Sequence, residues 1–147
     1  VTTPRGGSTG LLARLGFADS AAARDALEQA GLWRDGGPVD GAAESVVRAL
    51  ADTADPDLAA ASLARLLDVL EHPQELRDAL LTADGLRHRL LNVLGVSAAL
   101  GDHLVLHPDD WRVLADDAQT ASRPSLLGLQ RALLDAVDAD VDASLPW

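Results

Sequence analysis

Residues 101–111 read GDHLVLHPDDW. His103 and His107 stand four apart, which on a helix puts both imidazoles on one face. Pro108 follows at once. It has no amide hydrogen and drives the residue before it out of the helical region, so one helix has to stop at His107 and another start at Pro108. Both histidines then fall in the last turn of the first helix, where the dipole favours positive charge. Asp109 and Asp110 fall in the first turn of the second, where it favours negative charge. The stretch reads as helix, break, helix. A zinc site competes with that reading, because an i, i+4 histidine pair is a metal-binding spacing. Leu104, however, stands where a metalloprotease helix carries its Glu, and helix-end electrostatics accounts for every polar residue present.

The same punctuation runs through the chain. Ser8 is the expected cap of a first helix over 8–16. A second, SAAARDALEQAG, begins after Asp19 or Ser20 and stops at Gly31. WRDGGPVDG (33–41) is turn chemistry, and a third helix follows over 42–53. Asp55 caps a fourth, Pro56 takes its first position, and Leu58, Leu63, Leu66, Leu67 and Leu70 form its apolar stripe as far as His72-Pro73. A fifth covers 73–82. A sixth covers 84–95, with Leu86, Leu90, Leu91 and Leu94 inward. Ser97 caps a seventh carrying Leu100 and Leu104, and the helix begun by Pro108 turns Trp111 and Leu114 inward. Past a polar stretch over 116–123, Pro124 opens a last long helix with Leu126, Leu127, Leu129, Leu133, Leu134 and Val137.

No segment alternates like a strand for more than a few residues. The expected fold is all-α: about eight or nine short helices packed as an orthogonal or hairpin bundle. It divides into a flexible N-terminus over 1–7, one helical domain over 8–138 and a tail over 139–147. HPQELR (72–77) and HPDDWR (107–112) share a pattern, which suggests stacked hairpins, although two copies do not make a repeat architecture.

Composition limits the chemistry. The 147 residues are 48% hydrophobic but only 3% aromatic, so the core has to be built from Leu, Ala and Val. Without cysteine there is no disulfide, thiolate metal site or thiol nucleophile. No apolar run approaches the ~20 residues that span a bilayer, and VTTPRGGSTG lacks the apolar stretch of a secretory signal, which reads as a cytoplasmic protein. A net charge of −11 argues against nucleic acid. The one basic cluster, Arg87, His88 and Arg89, reads as a solvated face. With no lysine there is no phosphate loop of the GxxxxGK type. DADVD (138–142) carries Asp138, Asp140 and Asp142 at calcium-loop spacing, but Ala143 stands where the loop needs Gly. Ser97 and Ser125 sit at helix starts without acid–base partners. The residues therefore assign no catalytic, cofactor-binding or metal-binding position.

The stretch LRHRLLNVLGVSAALGDHLVLHPDDWRVL (86–114) resembles a segment near the N-terminus of bacterial glutamine-synthetase adenylyltransferase/adenylyl-removing enzymes. The resemblance is carried by Leu94, Gly95, Ser97, Leu100, Leu104, His107, Pro108, Trp111 and Leu114, which form a structural joint. LLARLGFADSAAARDALEQ and TADPDLAAASLARLLDVLE (53–71) extend it loosely upstream. The resemblance implies a non-catalytic helical scaffold ahead of the adenylyl-removing domain. Its parent enzyme would add AMP to glutamine synthetase and remove it by phosphorolysis, using magnesium and ATP held by Gly-Ser turns and paired aspartates beyond residue 147. The tail would lead into that catalytic domain. The implied partners are the nucleotidyltransferase domain and glutamine synthetase, with no nucleic acid and no membrane. Two other readings stand beside it: a free-standing acidic helical interaction module, and a small metal-dependent enzyme using His103, His107 and an aspartate.

Overall fold

The computed structural model describes residues 6–115, and the expected helix after Pro124, the DADVD stretch and the tail lie outside them. The described part is all-α apart from one small hairpin. The helices are α1 (Gly6–Leu15), α2 (Ser20–Gln29), α3 (Gly41–Ala51), α4 (Pro56–Val69), α5 (Pro73–Thr82), α6 (Asp84–Val96), α7 (Ala98–Leu106) and α8 (Trp111–Ala115). α1 begins at Gly6, two residues before the expected start, so Ser8 lies inside its first turn and is not its cap.

Local signals explain most of the boundaries. Asp19, Asp40, Asp55 and Ser97 each accept a hydrogen bond from the amide three residues on, the N-cap arrangement that satisfies a free helix-end donor. α2 ends in a Schellman turn. Gly31 takes φ +77° and donates to the Glu28 carbonyl, while Leu32 donates back to Leu27.

The loop over 33–41 holds more than turns. Trp33–Arg34 (β1) pairs antiparallel with Gly37–Pro38 (β2), and Asp35 and Gly36 between them both have positive φ, the two-residue hairpin turn that Asp-Gly favours. The hairpin drops Trp33 into the core beside Leu32.

α4 is the centre of the bundle, packed by α2, α6 and α7. Three alanines and a serine on it, Ala59, Ala60, Ala64 and Ser62, are buried with Leu63, Leu66 and Leu67, and their small side chains let neighbouring helices come close. Two glycines complete that approach. A Cβ on Gly95 of α6 would lie 2.6 Å from the Thr53 Cβ, and one on Gly101 of α7 would lie 3.0 Å from the Ser62 hydroxyl. Leu58 and Leu70, expected in the α4 stripe, are only half-buried because they flank the face that Leu63 and Leu66 press inward.

Among the described residues no single helix is long and apolar enough to cross a membrane. α6 and α7 together reach that length, but they meet at 115° and six residues of α6 are buried within the fold.

Candidate functional site

The two His-Pro sequences build nearly the same joint. His72 ends the α4–α5 connection with φ −124° and ψ 73°, and His107 ends α7 with φ −126° and ψ 68°. In each, proline opens the next turn and the third residue on donates back to the histidine carbonyl, Glu75 to His72 and Asp110 to His107. The large apolar residue of each motif, Leu76 or Trp111, is buried. The second joint differs in its helix. Pro108–Asp110 form a 3-10 turn, and α-helix starts only at Trp111, where a start at Pro108 was expected.

The histidines serve this joint. His103 Nε2 lies 2.8 Å from Asp110 Oδ2, across the break, and its ring sits 4.8 Å from that of His107. Histidine and aspartate are both about half exposed, so this is a surface clamp. Among the described residues no group of three or more His, Asp or Glu side chains could hold a metal ion. His103, His107 and Asp110 therefore do not form a metal centre.

The remaining joint residues divide by burial. Leu94, Gly95, Leu104 and Trp111 are buried, Leu114 packs against the core edge, Ser97 caps α7, Pro108 is half-buried and His107 is exposed. Leu100 departs from expectation, for it is 48% exposed. α7 (AALGDHLVL) is apolar nearly all round, so its sequence did not select a face. The close approach at Gly101 does: Leu104 lies three residues on along the same side, whereas Leu100 is turned about 100° away.

The basic cluster over 87–89 is also not the solvated face its charges suggested. Arg87 is buried. Its Nε donates to the Leu80 carbonyl at 2.8 Å and a terminal nitrogen to Leu81 at 3.2 Å, closing the free end of α5. Arg89 Nε donates to the Leu114 carbonyl at 2.9 Å and ties α6 to α8. Only His88 is exposed.

Arg112, the last residue of the second joint, donates to Glu75 of the first and stacks 4.8 Å from the Trp111 ring. That hydrogen bond, reinforced by charge, holds the Glu75 carboxyl below its ordinary range and raises the guanidinium. Asp57 ties α4 to the α1–α2 connection, accepting from the amides of Ala18 and Asp19 at 2.8 and 3.0 Å. Nothing in the spacing of the sequence marks these long-range pairs.

Two hollows lie on the described surface. One, under the hairpin, is lined by Leu11, Leu15, Trp33, Pro38 and Val47, with the Glu44–Arg48 ion pair on its rim. The other lies between α6, α7 and α8, with an apolar floor of Val93, Leu100, Leu104, Val113 and Leu114 and the His103–Asp110 pair at its polar side. Neither presents the base, nucleophile and oxyanion donors of an active site.

A bifunctional glutamine synthetase adenylyltransferase/adenylyl-removing enzyme of Streptomyces avermitilis is 43% identical over 130 residues, covering 86% of this chain. The enzymes so named from Streptomyces coelicolor and Mycobacterium avium are 41% and 37% identical, over 86% and 90% of it. The chain is similar to one segment of these enzymes. It spans about an eighth of their length, 12 to 13%. The similarity extends well beyond the 86–114 stretch. No family profile and no solved structure matches the chain.

Proposed function

We propose that this chain is the non-catalytic, N-terminal helical scaffold of a cytoplasmic enzyme that attaches AMP to glutamine synthetase and removes it by phosphorolysis. The observation that carries the reading is the 43% identity over 86% of the chain to an enzyme of that name. The donor set of the described residues supports the non-catalytic part. Magnesium and ATP, implied for the parent enzyme, call for clustered carboxylates and phosphate-cradling amides held on a sheet. Among the described residues the only sheet is the two-residue hairpin, and its Asp35 stands without a second carboxylate. These residues do not fit that group, and no step of the chemistry runs through them. The work of the segment is to hold shape and to present surface to the nucleotidyltransferase domain and to glutamine synthetase.

The test is enzymatic. The purified 147-residue chain, incubated with adenylylated glutamine synthetase, magnesium and phosphate, should release no ADP above background, and with ATP it should transfer no AMP. The product of the whole reading frame should do both. ADP release by the chain alone would overturn the scaffold role, and inactivity of the whole product would overturn the enzyme.

A further inference from the structure

α7 uses only one of its apolar sides in packing. Gly101 and Leu104 face inward, which leaves Leu100 of α7 and Val113 of α8 at 48% and 56% exposure. The two residues converge. With Val93, Leu104 and Leu114 they line the groove between α6, α7 and α8. An apolar floor with a polar rim is the form of a contact surface. The rim is acidic: Asp110 stands on it, engaged with His103, and Asp109 is exposed beside it. The nearest arginine, Arg112, is turned away to Glu75.

We propose that this groove seats an amphipathic helix of the parent enzyme's remaining chain, one with an aliphatic stripe and an arginine or lysine at its edge to meet Asp109. The proposal rests on the scaffold reading above. Two observations select the occupant. The chain spans only 12% of its Streptomyces avermitilis relative, so most of an enzyme of that kind lies outside it, and a scaffold needs an apolar face to hold that remainder. A second copy of this chain is disfavoured by charge, because a two-fold contact would bring the same acidic rim against itself.

The absence of cysteine from the 147 residues makes the test direct. Leu100→Cys and Val113→Cys place thiols in the groove, and Leu106→Cys, at a residue 76% exposed, serves as the open reference. Each variant is made in the product of the whole reading frame and in the 147-residue chain. Maleimide modification is then followed site by site by mass spectrometry. In the whole product the two groove thiols should react at least ten-fold more slowly than the reference. In the 147-residue chain all three should react alike. Adding Asp109→Arg to the whole product should return the thiol at 113 toward the reference rate. Equal rates in the whole product would overturn the proposal. So would slow rates already present in the 147-residue chain, or protection that grows with protein concentration, the mark of a second copy. Unprotected thiols in a product that still modifies glutamine synthetase would defeat the seat and leave the scaffold reading standing. A reading frame that ends at residue 147 would defeat both.

Discussion

Replacing Arg87 should cost more stability than replacing any other arginine in the described part, because its guanidinium does work that water cannot take over. The last carbonyls of a helix have no partner within it. At the end of α5 two of them, Leu80 and Leu81, are met by Arg87, at 2.8 and 3.2 Å. The bond to Leu80 is buried and the one to Leu81 only partly so. Arg87→Met keeps the aliphatic stem and removes both donors. A buried carbonyl left without a partner costs roughly 1–3 kcal/mol, and a partly buried one that can recruit water costs about half a kcal/mol. The ion pair with Asp84 adds little, since that carboxylate is largely exposed. The sum is about 2–3 kcal/mol, a substantial part of the ~5–15 kcal/mol that stabilises a domain. Arg87→Lys should lose about half as much, because an ammonium can serve one carbonyl but not span both as the planar fork does. Arg87→Ala should lose the most, through the missing stem. Urea titrations followed by circular dichroism give the order directly, provided the slope is unchanged between variants. If Arg87→Met lay within about 0.5 kcal/mol of the wild type, the capping account would be wrong and the cluster would be the solvated face its charges suggest.

Trp111→Ala should lower stability by roughly 3–5 kcal/mol, whereas Trp111→Phe should lose much less, because the buried indole nitrogen has no hydrogen-bond partner to forfeit; paired denaturant titrations check both. His103→Ala with His107→Ala should lower stability by about 1 kcal/mol or less, and a chelator should leave the melting temperature of the wild type and the double variant unmoved. Glu75 supplies a pH-dependent increment. Its folded pKa lies below the ordinary 4.5, so the stabilisation is present above that value and is lost as the pH falls through the depressed one. Wild type and Glu75→Gln should therefore differ in melting temperature near neutrality and converge in acid.

What could be read from the sequence is what short-range chemistry decides. Asp55-Pro56, Ser97 and the two His-Pro pairs announced their helix ends because the groups involved are within three or four residues of one another. The glycine at 31 announced its turn for the same reason. Gly95 and Gly101 gave no such notice, since their need for hydrogen in place of a side chain comes from Thr53 and Ser62, about forty residues away in each case. The all-apolar α7 hid the exposure of Leu100, because a helix without a polar face has no periodicity to interpret. Arg87 was misread for a related reason. Charge is a sound guide to exposure until a helix end nearby offers carbonyls, and which end lies nearby is a fact of tertiary structure. The Asp-Gly at 35–36 was legible as a turn and became a hairpin only because Trp33 had a core to enter.

The two His-Pro joints show how far a motif determines its surroundings. The backbone is nearly the same in both, down to the amide that returns to the histidine carbonyl. The arginines that close the motifs part ways. Arg77 reaches back to the Ala30 carbonyl at the end of α2, and Arg112 reaches the Glu75 carboxylate of the first joint. The third position of each motif also differs, Glu75 in one and Asp110 in the other, and each finds a cation: Arg112 for Glu75, the His103 imidazole for Asp110. A proline and a histidine thus fix the bend, whereas the charged residues after them are free to be spent on different neighbours. That freedom is why two matching joints do not make a repeat here. In a repeat each unit meets its neighbour through the same surface, but Arg77 turns toward α2 and Arg112 toward α5, so the second unit is not the first one translated.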